Sequence, residues 1–190
     1  MSSYCGSVCL LVLLGAVLAF GSPVHFISEN LRRTHGSIAD VLKLTKPAIG
    51  RDPLFSSVIR SINTSCQRKE ELQLMNVTLD IYTRIFSSIL QHNQHHDNAL
   101  TPALLANLPA AEMAHVESNL SKLKQEMETL KSKLGHLKHD KEDVLSKLSK
   151  IDVDDPEVQK KALAQYKEIY QAASVIATRR CGPTHSSSAE

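Results

Sequence analysis

The 190-residue chain has no tryptophan, and aromatic residues make up only 4% of it. Seven glycines and seven prolines are few for this length, which counts against loop-rich all-β folds with many tight turns. Neither sign of charge is in excess: 22 Lys and Arg stand against 20 Asp and Glu, a net charge of +2. That balance excludes a strongly basic nucleic-acid binder and an acidic solvating chain. No apolar run reaches the roughly 18 residues needed to span a bilayer. The motifs of common enzyme classes are missing as well: there is no G-x-S-x-G, H-E-x-x-H, P-loop or dinucleotide fingerprint. What is abundant is Leu, Lys, Ser and Ala, a composition that suits helices.

Residues 8–20, VCLLVLLGAVLAF, form an apolar run of 13 residues, too short for a bilayer core about 30 Å thick. It fits the apolar region of a secretory signal peptide, although the preceding MSSYCGS carries no Lys or Arg. Ala19 and Gly21 are small residues suited to the cleavage site, so residues 1–22 are expected to be removed after Gly21 or Ser22. Cys5 and Cys9 leave with them, and Cys66 and Cys181 remain as an even pair in an oxidising compartment. A bridge between these two would close most of the mature chain and contribute roughly 4–5 kcal/mol in the chain-entropy model. Free thiols and a bridge between chains stay open as alternatives. Secretion also gives meaning to three N-x-S/T sequons, at Asn63, Asn76 and Asn119. Asn63, among polar neighbours, is the strongest candidate for a glycan.

Helical periodicity then runs through the remainder. Over 28–44 the apolar positions are Leu31, Ile38, Val41, Leu42 and Leu44, with Ser28 or Asn30 as a cap. Gly36 makes this one flawed helix or two short ones. Residues 45–53 contain Pro47, Gly50 and Pro53 and read as a loop. A short helix over 54–62 follows, then a polar break at 63–68. From about 70 to 90, Leu72, Met75, Leu79, Tyr82, Phe86 and Leu90 recur at helical spacing, with Ile81, Ile85 and Ile89 as a second stripe. Two stripes predict a helix buried on most of its surface, and it is read as the central one. Residues 91–108 read as a linker, where His92, His95, His96 and Asp97 resemble metal ligands but lack a rigid support. Solvation explains them better.

From 113 to 151, twelve positions follow strict 3-4 spacing, and all but Lys141 are Met, Val, Leu or Ile. This is the pattern of a coiled coil, or of two amphipathic helices hinged near Gly135. His136 and His139 lie among lysines, which disfavours metal binding. Asp154-Asp155-Pro156-Glu157 is a helix start, with Asp as cap and Pro in the first turn. Val158, Ala162, Tyr166, Ile169, Ala173 and Ile176 mark the inner face of the last helix, and Gly182-Pro183 stops it. The basic pairs, Arg32-Arg33, Arg68-Lys69, Lys160-Lys161 and Arg179-Arg180, are scattered. The expected architecture is an all-α bundle of six helices over residues 23–181, with a disordered tail at 182–190 and no enzymatic, cofactor or metal site.

Val158-Gln159-Lys160-Lys161-Ala162 with Ile169 on the last helix, and Glu29-Asn30-Leu31-Arg32-Arg33 on the first, resemble motifs of the interferon gamma family. The family's last helix reads Ile/Val-Gln-x-Lys/Gln-Ala-x-x-Glu-Leu/Phe-x-x-Ile/Val. Here it reads Val158-Gln159-Lys160-Lys161-Ala162, then Gln165, Tyr166 and Ile169. Gln165 stands in place of Glu and Tyr166 in place of Leu or Phe; the other positions agree. Glu29-Asn30-Leu31-Arg32-Arg33 resembles the first-helix motif Glu-Asn-Leu-Lys-Lys, and Leu54-Phe55 opens the short second helix. Arg68-Lys69 precedes the apolar third helix as in the family, with Tyr82 and Phe86 at its aromatic positions.

The resemblance implies a six-helix cytokine bundle in an intertwined homodimer, with the 113–151 seam buried between chains. It further implies binding to an interferon-gamma-receptor-type cell-surface receptor and kinase-coupled antiviral and macrophage-activating signalling. Carried over position by position, it points to Arg32, His35, Lys46, Arg51, Asp52, Lys161 and Gln165 as receptor contacts, with Arg179 and Arg180 at the chain end. The family's long polybasic tail is absent, so tail-dependent roles do not carry over. In that respect the chain resembles the shorter-tailed interferon-gamma-related branch of non-mammalian vertebrates. The competing reading is a secreted coiled-coil or lipid-associating helical protein, resting on the same 113–151 seam. Neither reading involves nucleic acid or membrane insertion after signal cleavage.

Overall fold

A computed structural model of the chain describes residues 27–62, 68–92, 104–134 and 148–178. The expected signal peptide and tail, Asn63, Cys66, the 93–103 linker, His136, His139, Arg179, Arg180 and Cys181 lie outside these residues. The described residues form six helices and no strand: α1 Glu29–Val41, α2 Pro47–Gly50, α3 Ser56–Ile62, α4 Arg68–His92, α5 Ala110–Leu134 and α6 Pro156–Thr178.

Local chemistry explains most boundaries. The Ser28 side chain caps α1 by accepting the Leu31 amide at 3.2 Å. The helix then runs unbroken through Gly36, which costs about 1 kcal/mol against Ala without breaking it. At its end Lys43 takes a left-handed φ of 53°. The Lys43 amide donates to Asp40 O (3.3 Å) and the Leu44 amide to Ala39 O (2.9 Å). This pair of bonds satisfies the last carbonyls of the helix and turns Leu44 back into the core. The segment expected as a plain loop contains α2 instead. Pro47 occupies its first turn, where the missing amide hydrogen and fixed φ cost nothing. Asp155 starts α6 as expected, its Oδ1 accepting the Glu157 amide at 2.8 Å.

The largest fully buried side chains include Tyr82, Tyr166, Phe55 and Phe86. Phe55 stacks on Tyr82 with ring centroids 4.9 Å apart, and Phe86 meets Tyr166 edge-on at 6.0 Å. Both tyrosine hydroxyls donate to helix carbonyls, Tyr82 to Ala162 O (2.9 Å) and Tyr166 to Leu123 O (3.2 Å). Burial without such partners would cost about 1–3 kcal/mol for each hydroxyl. Burial pushes the pKa of Tyr82 and Tyr166 far up, so both stay neutral donors.

Two expectations are corrected. The doubly striped α4 is deeply buried, but the helix that packs against all five others is α6. The reason is its inward surface, where Ala162 and Ala173 allow close approach while Gln159 and Gln165 hydrogen-bond to neighbouring elements. The second concerns the 3-4 seam. Val116, Leu120, Leu123, Met127, Leu130 and Leu134 are buried against α1, α4 and α6 of the same chain. The opposite side of α5 carries exposed Ser118, Lys122, Gln125, Glu128 and Ser132. Over 113–134 the seam is covered by α1, α4 and α6, so no free coiled coil is needed to cover it. Residues 135–147 of the pattern lie outside the described residues.

Candidate functional site

Two other segments pack against α6: α1, and the stretch from α2 into α3. Each is tied to α6 by one buried hydrogen bond. His35 Nε2 donates to Leu163 O at 2.8 Å, with its ring stacked on Tyr166 at 5.7 Å. The Phe55 amide donates to Gln165 Oε1 at 3.0 Å.

These ties decide the fate of the expected receptor contacts. Arg32 on α1, and Lys46, Arg51 and Asp52 around α2, are exposed. Lys161 is partly covered, with 22% of its side chain accessible and its Nζ 3.6 Å from Glu157 Oε1. His35 and Gln165 are not surface residues: they are 4% and 7% accessible. The family resemblance places both in the contact set, but packing turns them inward. Burial pulls the His35 pKa below its ordinary value, and the Lys167 charge adds to this, while the bond to Leu163 O opposes it. The ring is therefore neutral at neutral pH, and its Nδ1 is buried without a partner.

Asp52 has φ 58°, a left-handed conformation that Asp tolerates better than most side chains. The turn before it is closed by the Arg51 amide donating to Pro47 O at 3.2 Å. The exposed tip thus has a defined shape, bounded by α2 before it and the Phe55–Gln165 bond after it.

The sequons divide as well. Asn76 is half-buried on α4. Asn119 is 6% accessible, and its amide donates to His115 Nε2 at 3.1 Å and to Ser37 Oγ at 3.4 Å. In the folded chain that amide is turned inward and engaged by these two bonds. Its polar network joins α1 to α5, and nothing local in the sequence announces it. A second network was equally hidden: Ser88 Oγ donates to Asp154 Oδ1 at 2.7 Å, and Gln159 Nε2 donates to Ser88 Oγ at 3.1 Å. It fastens the approach to α6 onto α4. Asp154 was expected as part of a helix cap, but only Asp155 caps.

Among the described residues no group of three or more His, Cys, Asp or Glu is placed to hold a metal ion. No described helix is long and apolar enough to cross a membrane. Among the described residues, α1 and the stretch from α2 into α3 present exposed Arg32, Lys46 and Arg51 together with exposed Glu29, Asp40 and Asp52, on segments that pack against α6.

No family model matches the chain, and no solved structure matches it. Among curated proteins it is similar to Interferon gamma 1 of Carassius auratus, with 27% identity over 177 residues, covering 93% of this chain and 86% of that protein. The match is modest in identity but spans nearly the whole chain, and it bears out the resemblance to interferon gamma that the helix motifs carry.

Proposed function

We propose that the chain is a secreted cytokine of the interferon-gamma type, which binds an interferon-gamma-receptor-type protein on the cell surface and triggers kinase-coupled antiviral and macrophage-activating signalling. The observation that carries this reading is similarity to an interferon gamma along 93% of the chain, in a chain whose described residues are all helical. The receptor-facing residues are Arg32, Lys46, Arg51, Asp52 and Lys161, with Arg179 and Arg180 beyond the end of α6. His35 and Gln165 act from inside. Four of the first five are cationic, so the matching receptor surface is acidic; such complementarity raises the association rate and rejects wrong partners.

The working unit is a homodimer. Exchange of α5 and α6 between two copies would reproduce the contacts these helices make with α1–α4, which is the low-cost route of domain swapping. Asn63 and Asn76 are the glycan acceptors, and Cys66 with Cys181 the disulfide pair.

The test is a cell response. Protein from Pro23 onward, added to leukocytes of the source species, is expected to give saturable tyrosine phosphorylation of the interferon-responsive transcription factor within minutes. Heat-unfolded protein is the control. A folded dimer that evokes no response from receptor-bearing cells would overturn the reading.

A further inference from the structure

We propose that Gln165 is a positioning residue: it fixes the exposed tip at Arg51 and Asp52 by accepting the Phe55 amide, and so sets receptor affinity without touching the receptor. The inference rests on the receptor reading above and adds to it a residue that works from the far side of the loop.

The Phe55 amide is a buried donor just ahead of α3, where a helix cannot supply its own acceptor. Such a group must be paired. Its partner is a side chain 110 residues away in sequence, on the helix that packs against every other element. The Phe55 ring is fully buried and stacked on Tyr82, so this residue can shift neither sideways nor outward as a whole. Three positions earlier Asp52 holds a left-handed φ, a conformation kept only where its surroundings determine it. The α2 turn determines it from one end and the Gln165 bond from the other. With the acceptor removed, the least costly relief for the buried amide is to reach water. That swings the peptide between Pro53 and Phe55 outward and carries Arg51 and Asp52 with it.

The neighbouring His35–Leu163 bond gives α1 a comparable tie two residues earlier on α6. The two bonds differ in a useful way. Leu163 O is a backbone group that no substitution removes, whereas the Gln165 acceptor is a side chain open to mutation.

The experiment compares the wild-type protein with Gln165→Met, which keeps the length and loses the acceptor, Gln165→Asn, which is too short to reach, and Gln165→Glu, which keeps an acceptor oxygen. Three quantities are read: amide hydrogen exchange at Phe55, the urea midpoint, and the concentration giving half-maximal phosphorylation in responsive leukocytes. In Met and Asn, Phe55 exchange and the half-maximal concentration are both expected to rise about tenfold or more, with the α4 amides still protected. Glu is expected to restore both to within a few-fold of wild type. Unchanged Phe55 exchange in the Met and Asn variants would overturn the anchoring, whatever the cells do. Faster exchange with an unchanged half-maximal concentration would overturn the link to the receptor. If the wild type itself evokes nothing, the cytokine reading and the affinity claim fail together, and the exchange data still decide whether Gln165 anchors the loop.

Discussion

Replacing Phe86 by Ala tests the core at its best-determined point. Phe86 has no accessible surface, sits in the C-terminal half of α4, and contacts Tyr82 and Tyr166 at centroid distances of 6.2 and 6.0 Å. Truncation removes the transfer free energy of the ring, opens a cavity, and breaks two aromatic contacts; together these cost about 3–5 kcal/mol. The surrounding helices have little freedom to close the gap. Tyr82 and Tyr166 are each pinned through their hydroxyls to α6 and α5 carbonyls. The upper half of the range is therefore expected. That is a large share of the roughly 5–15 kcal/mol by which a domain is stable. With no tryptophan in the chain, unfolding is best followed by far-UV circular dichroism in urea, at one fixed protein concentration because assembly contributes to apparent stability. At a slope of about 2 kcal/mol per molar, the midpoint should fall by about 2 M. Phe86→Leu, which keeps much of the volume, should lose under about 1.5 kcal/mol. A midpoint shift below about 0.5 M in the Ala variant would refute the placement of Phe86 at the centre of the bundle.

Acidification should weaken the fold through His35. Its pKa is lowered in the folded state, so the unfolded chain takes up the proton first; stability is fully present above pH 6.5 and declines as pH falls below it toward the folded pKa. Urea midpoints at pH 7.5, 6.5 and 5.5 should fall in that order, and His35→Gln should flatten the slope; a slope unchanged in that variant would clear His35 of the effect. Asp155→Ala should cost about 1 kcal/mol by uncapping α6, read as a lower midpoint with the far-UV spectrum unaltered. Ser121→Ala destroys the Asn119 sequon at an exposed position, and mass spectrometry of the secreted protein should find no glycan lost; a loss of one glycan would show that Asn119 is reached before α1 and α5 close over it.

The legible parts of the fold share one property: they are written in near neighbours along the chain. The double stripe of α4, the Asp155-Pro156 start of α6 and the 3-4 spacing that α5 carries each follow from the 3.6-residue turn and from capping chemistry. Pro47 was legible only as punctuation, because a proline that stops one helix and a proline that opens another look alike without the φ and ψ of their neighbours. Arg32, Lys46, Arg51 and Asp52 follow only from the family resemblance, and the structure leaves all four exposed.

Composition and periodicity by themselves determined that the described residues form helices with buried apolar faces, and the quoted motifs added the resemblance to interferon gamma. Only the tertiary structure decided that α6 is the hub, that the α5 seam packs on α1, α4 and α6, and that His35, Gln165 and Asn119 turn inward. The physical reason lies in distance along the chain. His35 meets its partner 128 residues away, Phe55 meets Gln165 110 away, and Asn119 meets Ser37 82 away. A local pattern tells a polar residue which side of its own helix it occupies. Whether that side faces water or another helix is decided by elements that local periodicity does not reach.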